Sequence, residues 1–168
     1  MELVLIRHAT AEDRAEFARK NREDYLRPLV PKGRKRMEEV CKELFRLIPE
    51  VKLIVTSPFV RARQTAEIVQ KTFKGSQILE AAELVPHAPP TAFLRWLVAH
   101  GRNHDRIFAV GHEPQLSIFA SYLLTGTQES FLDLKKSGVL ILEVESFVDL
   151  KPGNVELKAL IPPRVWVD

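Results

Sequence analysis

Short apolar runs that stop abruptly at arginine, histidine or serine constrain this chain more than any other feature. Leu3-Val4-Leu5-Ile6 stops at Arg7-His8, Val51 to Thr56 stops at Ser57-Pro58, and Ile107 to Val110 stops at Gly111-His112. Apolar runs of this length, without polar alternation, suit strands buried on both faces. Between them lie stretches with helical periodicity. From Lys32 the residues Met37, Val40, Cys41, Leu44, Leu47 and Ile48 form one stripe that Pro49 ends. Ser57 as N-cap with Pro58 at N1 predicts a helix through about Thr72. Thr91 to His100 reads as an amphipathic helix stopped by Gly101, and Glu113-Pro114 opens another reaching roughly Leu124.

Gln77 to Leu79 suits a short third strand. Val139 to Val144 and Val155 to Leu160 suit a hairpin around Lys151-Pro152-Gly153-Asn154. Residues 11–31, polar and charged with Pro28 and Pro31, read as a loop with a helical turn or two. Apolar strands alternating with helices imply an α/β fold. The expectation is a three-layer sandwich with a mostly parallel central sheet flanked by helices, and antiparallel strands near the C-terminus. At 168 residues a single domain over 1–168 is expected.

Composition closes off several classes. One cysteine, Cys41, excludes an intramolecular disulfide and a multi-cysteine zinc site, and it suits a reducing compartment. No apolar run approaches the ~18 residues of a membrane span, and Met1-Glu2 lacks the basic start of a signal peptide. A cytoplasmic protein that does not contact membrane is expected. There is no G-x-G-x-x-G and no P-loop. Four residues separate Cys41 from Arg46, one short of a cysteine-phosphatase loop. Cys41 also lies in the helical stripe and is expected in the core. His100, His104 and Asp105 have a zinc-like spacing, but Gly101 and Asn103 interrupt the helix that would present them. The net charge of +3 is too small to argue for nucleic acid, and the basic stretch lacks interleaved aromatics.

In an open α/β sheet the ligand crevice lies beyond the carboxyl ends of the strands. Three strand ends therefore deliver Arg7-His8, Ser57 to Arg61, and Gly111-His112 to one edge. Singly, each has an ordinary structural explanation: a hydrogen-bonded histidine, or a solvated arginine in a first helical turn. Two arginines and two histidines converging on one edge make an anion site.

The segments Leu-Ile-Arg-His-Ala at 5–9, Thr-Ser-Pro-Phe-Val-Arg-Ala-Arg-Gln-Thr-Ala at 56–66 and Val-Gly-His-Glu-Pro-Gln-Leu-Ser at 110–117 resemble the histidine phosphatase superfamily, with its phosphoglycerate mutase-like fold. The length and the Gly-His-Glu-Pro form resemble its SixA-type phosphohistidine phosphatases in particular. The likeness runs from residue 2 to about 162, including Arg27-Pro28-Leu29 ahead of Gly33 and Lys-Ser-Gly at 136–138. One departure is Ala9, where the superfamily's hallmark has glycine.

The resemblance implies that His8 is the nucleophile, that Arg7 and Arg61 bind phosphoryl oxygens, and that a protonated His112 adds a third donor. It places Glu83 as candidate general acid, with Glu80 nearby. Such a pocket requires no metal or other cofactor. The implied activity is hydrolysis of phosphohistidine on a protein, for instance a histidine phosphotransfer domain in a signalling relay. A phosphatase for a small phosphate ester or sugar phosphate, and a non-catalytic phosphoprotein-binding module, are the alternatives. Thr10, Ser137 and the pair Lys135-Lys136 are given ordinary turn or surface roles. Residues 14–36 carry a net charge of +6, leaving −3 for the rest, so a basic flank that attracts an anionic substrate is expected beside the pocket.

Overall fold

The computed structural model describes residues 1–167. The elements follow the order β1 (Glu2–Arg7), α1 (Arg14–Arg19), α2 (Pro31–Leu47), β2 (Leu53–Thr56), α3 (Val60–Thr72), β3 (Gln77–Glu80), α4 (Pro90–His100), β4 (Arg106–Gly111), α5 (Gln115–Thr125), β5 (Val139–Val144) and β6 (Val155–Ile161). The six strands form one sheet in the order β3-β2-β4-β1-β5-β6. The first three pairings are parallel, and β5 is antiparallel to both β1 and β6. This is the mixed α/β sandwich expected from the sequence.

Strand alternation sorts the apolar residues into two cores. Val4, Ile6, Ile54, Phe108 and Val110 face α2 and α3, where Met37, Val40, Leu44, Ala62, Ala66 and Val69 close against them. Leu3, Leu5, Leu53, Val55, Ile107 and Ala109 face α4 and α5, meeting Phe93, Leu97, Leu116, Phe119 and Leu123. Strands buried on both faces explain why their sequences lack polar alternation. Cys41 lies wholly inside the first core, and burial pushes its thiol up to about 12, so it is a packing residue. Among the described residues no helix is long and apolar enough to cross a membrane.

Two expectations change in detail. Helix α3 begins at Val60 rather than at Pro58, with Phe59 as its N-cap. Ser57 serves two partners: its hydroxyl lies 2.8 Å from the His112 ring and 3.3 Å from the Phe59 amide, which it accepts. The amides of Ala62 and Arg63 turn instead to the Phe59 carbonyl. The hairpin of β5 and β6 is real, but its connection spans 145–154, and Lys151–Asn154 forms only its last turn.

Sheet register fixes the site. Arg7 pairs with Gly111, and Thr56 pairs with Val110, so the carboxyl ends of β1, β2 and β4 lie level. The ladder continues past the strands, with His8 N–H donating to Gly111 O and Ser57 N–H donating to Val110 O, each at 3.0 Å. Helix α2 starts against the loop after His8. An added Cβ on Gly33 would lie 2.2 Å from the Thr10 carbonyl oxygen, which also accepts the Val30 amide. Gly33→Ala is therefore expected to push α2 off this loop. Overpacking typically costs about 1–3 kcal/mol, a fall of roughly 2–12 °C in a chain this size. Thermal unfolding measures it, and an unchanged melting temperature would contradict the contact.

Candidate active site

His8 follows β1 directly and is 6% exposed. Its Nδ1 lies 2.7 Å from the Ala9 carbonyl oxygen, which can only accept, so Nδ1 carries the proton. The lone pair then sits on Nε2, where Arg61 Nε donates to it at 3.3 Å. Burial, with Arg61, Arg7 and Arg27 nearby, pushes the His8 pKa down to about 3. The ring is neutral at physiological pH, with its free nitrogen turned to the cation cluster. Ala9 fits without strain: among described non-glycine residues only Asn21 and Ser137 have positive φ. Its amide donates to Thr65 Oγ1 at 3.1 Å, and that hydroxyl donates to the Arg61 carbonyl at 2.7 Å. The loop of His8 is thereby tied to the helix of Arg61.

Arg61 is 1% exposed. A buried guanidinium requires acceptors, and most of them come from Asp24, on a short 3₁₀ turn (Asp24–Leu26) in the 11–31 loop. Arg61 Nη1 donates to the Asp24 carbonyl oxygen at 2.9 Å, and Nη2 lies 3.0 Å from its carboxylate. The same carboxylate accepts Arg27 Nε at 2.8 Å and lies 3.5 Å from Arg14 Nε. Burial lowers the Arg61 pKa to about 10, still charged at neutral pH. Its guanidinium also lies over the Phe59 ring, 5.0 Å from the centroid.

His112 follows β4, and its ring centroid stands 5.1 Å from that of His8. The sequence reading expects His112 to be protonated where it meets a phosphoryl group. Burial, then His8 and three arginines, push it down to about 2, so the ring is neutral in this environment. A phosphoryl dianion at its side would favour the charged form. Arg7 is held by the Leu134 carbonyl, which accepts its Nη1 at 2.9 Å. Desolvation lowers its pKa, and Glu113 and Asp133 partly offset that.

The cleft over these groups encloses about 440 Å³, and Arg7, His8, Arg61 and His112 all line it. Arg14, Arg27, Lys136 and Glu113 line it too, the two arginines coming from the basic segment 14–36 expected beside the pocket. Glu113 was visible in Gly-His-Glu-Pro. Lys136 was visible only as half of a surface pair. Desolvation raises the Glu113 carboxyl above its ordinary range, although the Ser117 amide and hydroxyl both donate to it. Glu83 is half-buried on the turn Ala82–Leu84, its backbone carbonyl accepting Gln115 Nε2 at 3.3 Å. Pro86, three residues on, reaches the cleft, and Glu83 is outside its lining. Glu80 pairs with Arg63 at 3.0 Å.

Two outcomes follow. Both histidines titrate near 6.5 when unfolded and far lower when folded, so the unfolded chain binds more protons as pH falls below about 6.5. Their effect on stability is absent above that pH and grows on acidification. Melting temperatures from pH 7.5 to 5 should fall, and a His8→Asn, His112→Gln double variant should show a shallower slope. Asp24→Asn removes the anion shared by three arginines. It should lower the melting temperature, and inorganic phosphate should restore more of it in the variant than in the wild type. Equal phosphate shifts in the two proteins would contradict the clamp.

Three comparisons bear on identity. The family model of the histidine phosphatase superfamily (branch 1) matches residues 3–85. An uncharacterized protein of Picosynechococcus sp. is 38% identical over 141 residues, 83% of each chain. The protein histidine phosphatase SixA complexed with tungstate superposes with a TM-score of 0.82 at 22% identity, covering 98% of this chain and 99% of that one. The α-ribazole phosphatase of Shigella flexneri gives 0.70 at 17% identity, covering 97% of each. At these identities the two structures speak for the fold alone, and it is the family motifs on that fold that decide membership. The chain belongs to the histidine phosphatase superfamily.

Proposed function

We propose that this phosphatase hydrolyses phosphohistidine on a protein, through a covalent phosphohistidine at His8 and without a metal. The observation that carries the reading is the neutral His8 ring, its bare Nε2 turned to Arg61. In the first step Nε2 attacks phosphorus in line, and the bond from phosphorus to the substrate's imidazole nitrogen breaks. The Nε–H of Arg61 moves its hydrogen bond from Nε2 to a phosphoryl oxygen. Arg7 and Arg61 hold equatorial oxygens, and His112 supplies a further donor as negative charge gathers. In the second step water attacks the His8 phosphate, releasing inorganic phosphate and restoring the ring.

The choice of leaving group rests on proton supply. An ester leaves as an alkoxide and needs a strong acid, whereas an imidazole leaves neutral once its far nitrogen is protonated. Glu83 lies outside the cleft lining, and the acids inside it are engaged: Glu113 is held by two hydrogen bonds from Ser117, Glu12 pairs with Lys20, and Asp13 accepts the Glu16 amide. A cleft so short of a free acid suits the easier leaving group. The likeness in fold to SixA points the same way. The α-ribazole phosphatase shares the fold as well, which keeps small phosphate esters as the second reading.

His8→Ala should abolish turnover, and Arg61→Ala should cost about 2–4 kcal/mol of transition-state stabilisation, roughly 30- to 1,000-fold in rate. Wild-type protein quenched during turnover should carry a phosphoryl group stable to base and labile to acid, absent from His8→Ala. Unchanged turnover in His8→Ala would end the mechanism. Preference by orders of magnitude for a small phosphate ester over a phosphohistidine protein would displace the substrate.

A further inference from the structure

A second concavity opens beside the catalytic cleft. It encloses about 660 Å³, more than the cleft itself, and the two share Arg7, Thr10 and Lys136 as a common wall. Its floor is apolar, from Leu160 at the end of β6 and from Pro162 and Pro163 just beyond. Its rim is cationic: Arg36 from α2, Lys135 from the loop before β5, and Arg164 from the short 3₁₀ turn Pro163–Val165. Asp133 is the one acid in the lining, and Lys135 pairs with it. Arg36 Nε is buried without a hydrogen-bond partner among the described residues, as is Arg7 Nε on the shared wall. Neither Arg36 nor Arg164 lines the catalytic cleft.

We propose that this groove takes the polypeptide that flanks the phosphorylated residue, and that it selects acidic side chains there. The proposal rests on the protein-substrate reading above. A phosphate in the cleft fixes the substrate's first anion at Arg7, and whatever continues past Arg7 and Lys136 enters the groove. Side chains one helical turn or two strand positions away stand about 5–7 Å from the phosphorylated one, within reach of this neighbouring space. An apolar floor with a cationic rim matches an acidic side chain on an apolar stretch of backbone. A second phosphate on a small molecule would match the rim but leave the floor unused. Rim charges act mainly on encounter and on KM, while buried anchors hold the complex.

The test uses two synthetic peptides with one phosphohistidine each, flanked by glutamates in one and by lysines in the other. Phosphoramidate serves as a substrate too small to reach the groove. Wild-type kcat/KM should favour the glutamate peptide at least tenfold. In an Arg36→Glu, Arg164→Glu double variant the preference should reverse through KM, with phosphoramidate hydrolysis within twofold of wild type. No preference in the wild type, a preference kept in the variant, or an equal loss on phosphoramidate would each overturn the proposal. So would a small bisphosphate that competes far better than a monophosphate while the two peptides are treated alike. If the wild type cleaves neither peptide but does cleave a small phosphate ester, the phosphohistidine reading fails. The groove is then judged by binding of fluorescent versions of the peptides to His8→Ala. Tenfold tighter binding of the glutamate peptide, lost with Arg36→Glu and Arg164→Glu, sustains it, and equal affinities sink it.

Discussion

The burial of the Arg61 guanidinium is the interaction on which the rest of the site depends. A cation 1% exposed has lost its water, and only acceptors brought by the fold can replace it. His8 takes one side of the fork, and the backbone carbonyl and carboxylate of Asp24 take the other. Because both acceptors of Asp24 are used, its whole segment is drawn over the cleft, with Arg14 and Arg27 in tow. Arg27 then reaches the Glu12 carbonyl, and the Leu29 amide finds Gln64 on α3. The start of α2 must then pass Thr10 closely enough that only glycine fits at position 33. One desolvated charge thus organises the 11–31 segment, whose regular structure is α1 and one 3₁₀ turn.

The same electrostatics choose the protonation states. Two imidazoles 5.1 Å apart, buried beside Arg7, Arg27 and Arg61, cannot hold extra positive charge at neutral pH. For His8 that is a gain, since only the neutral ring has a lone pair to offer. For His112 it means that donor strength rises with the negative charge that arrives beside it. The surroundings that make an imidazolium costly are the ones that favour a phosphoryl group. A neutral His8 ring and a cationic pocket are therefore two consequences of a single excess of cations in a poorly hydrated space.

How much of this the sequence disclosed follows from what periodicity encodes. Apolar spacing reports which face of an element is buried, so the strands and helices were readable, and with them the two strand ends that carry Arg7, His8 and His112. Arg61 was readable because it lies in the first turn of the helix that follows β2. The Asp24 clamp was not, because it joins residues 37 apart through a carbonyl and a carboxylate in a loop with no period. Ser57 misled for a related reason. A serine before a proline is a good cap in isolation, but here its hydroxyl also meets the ring of His112, 55 residues away, and the helix starts only at Val60. Glu83 could be placed only by analogy, and the turn that carries it directs Pro86 towards the cleft instead.

The basic segment 14–36 shows why placement decides more than totals. Its surplus of +6 reads as a flank that draws anions in. In the folded chain Arg14 and Arg27 are engaged with Asp24, and Lys20 with Glu12, so three of its nine cations answer charges nearby. Arg14 and Arg27 still line the catalytic cleft, and Arg36 lines the adjoining groove. Lys32 and Lys35 are exposed on α2 outside both linings and contribute only to the long-range field. On the function and groove proposed above, cations held by a carboxylate set the geometry of the phosphate site, whereas unpaired cations at its edge set which anions reach it. One basic segment supplies both kinds, Arg14 and Arg27 ahead of α2 and Arg36 on it.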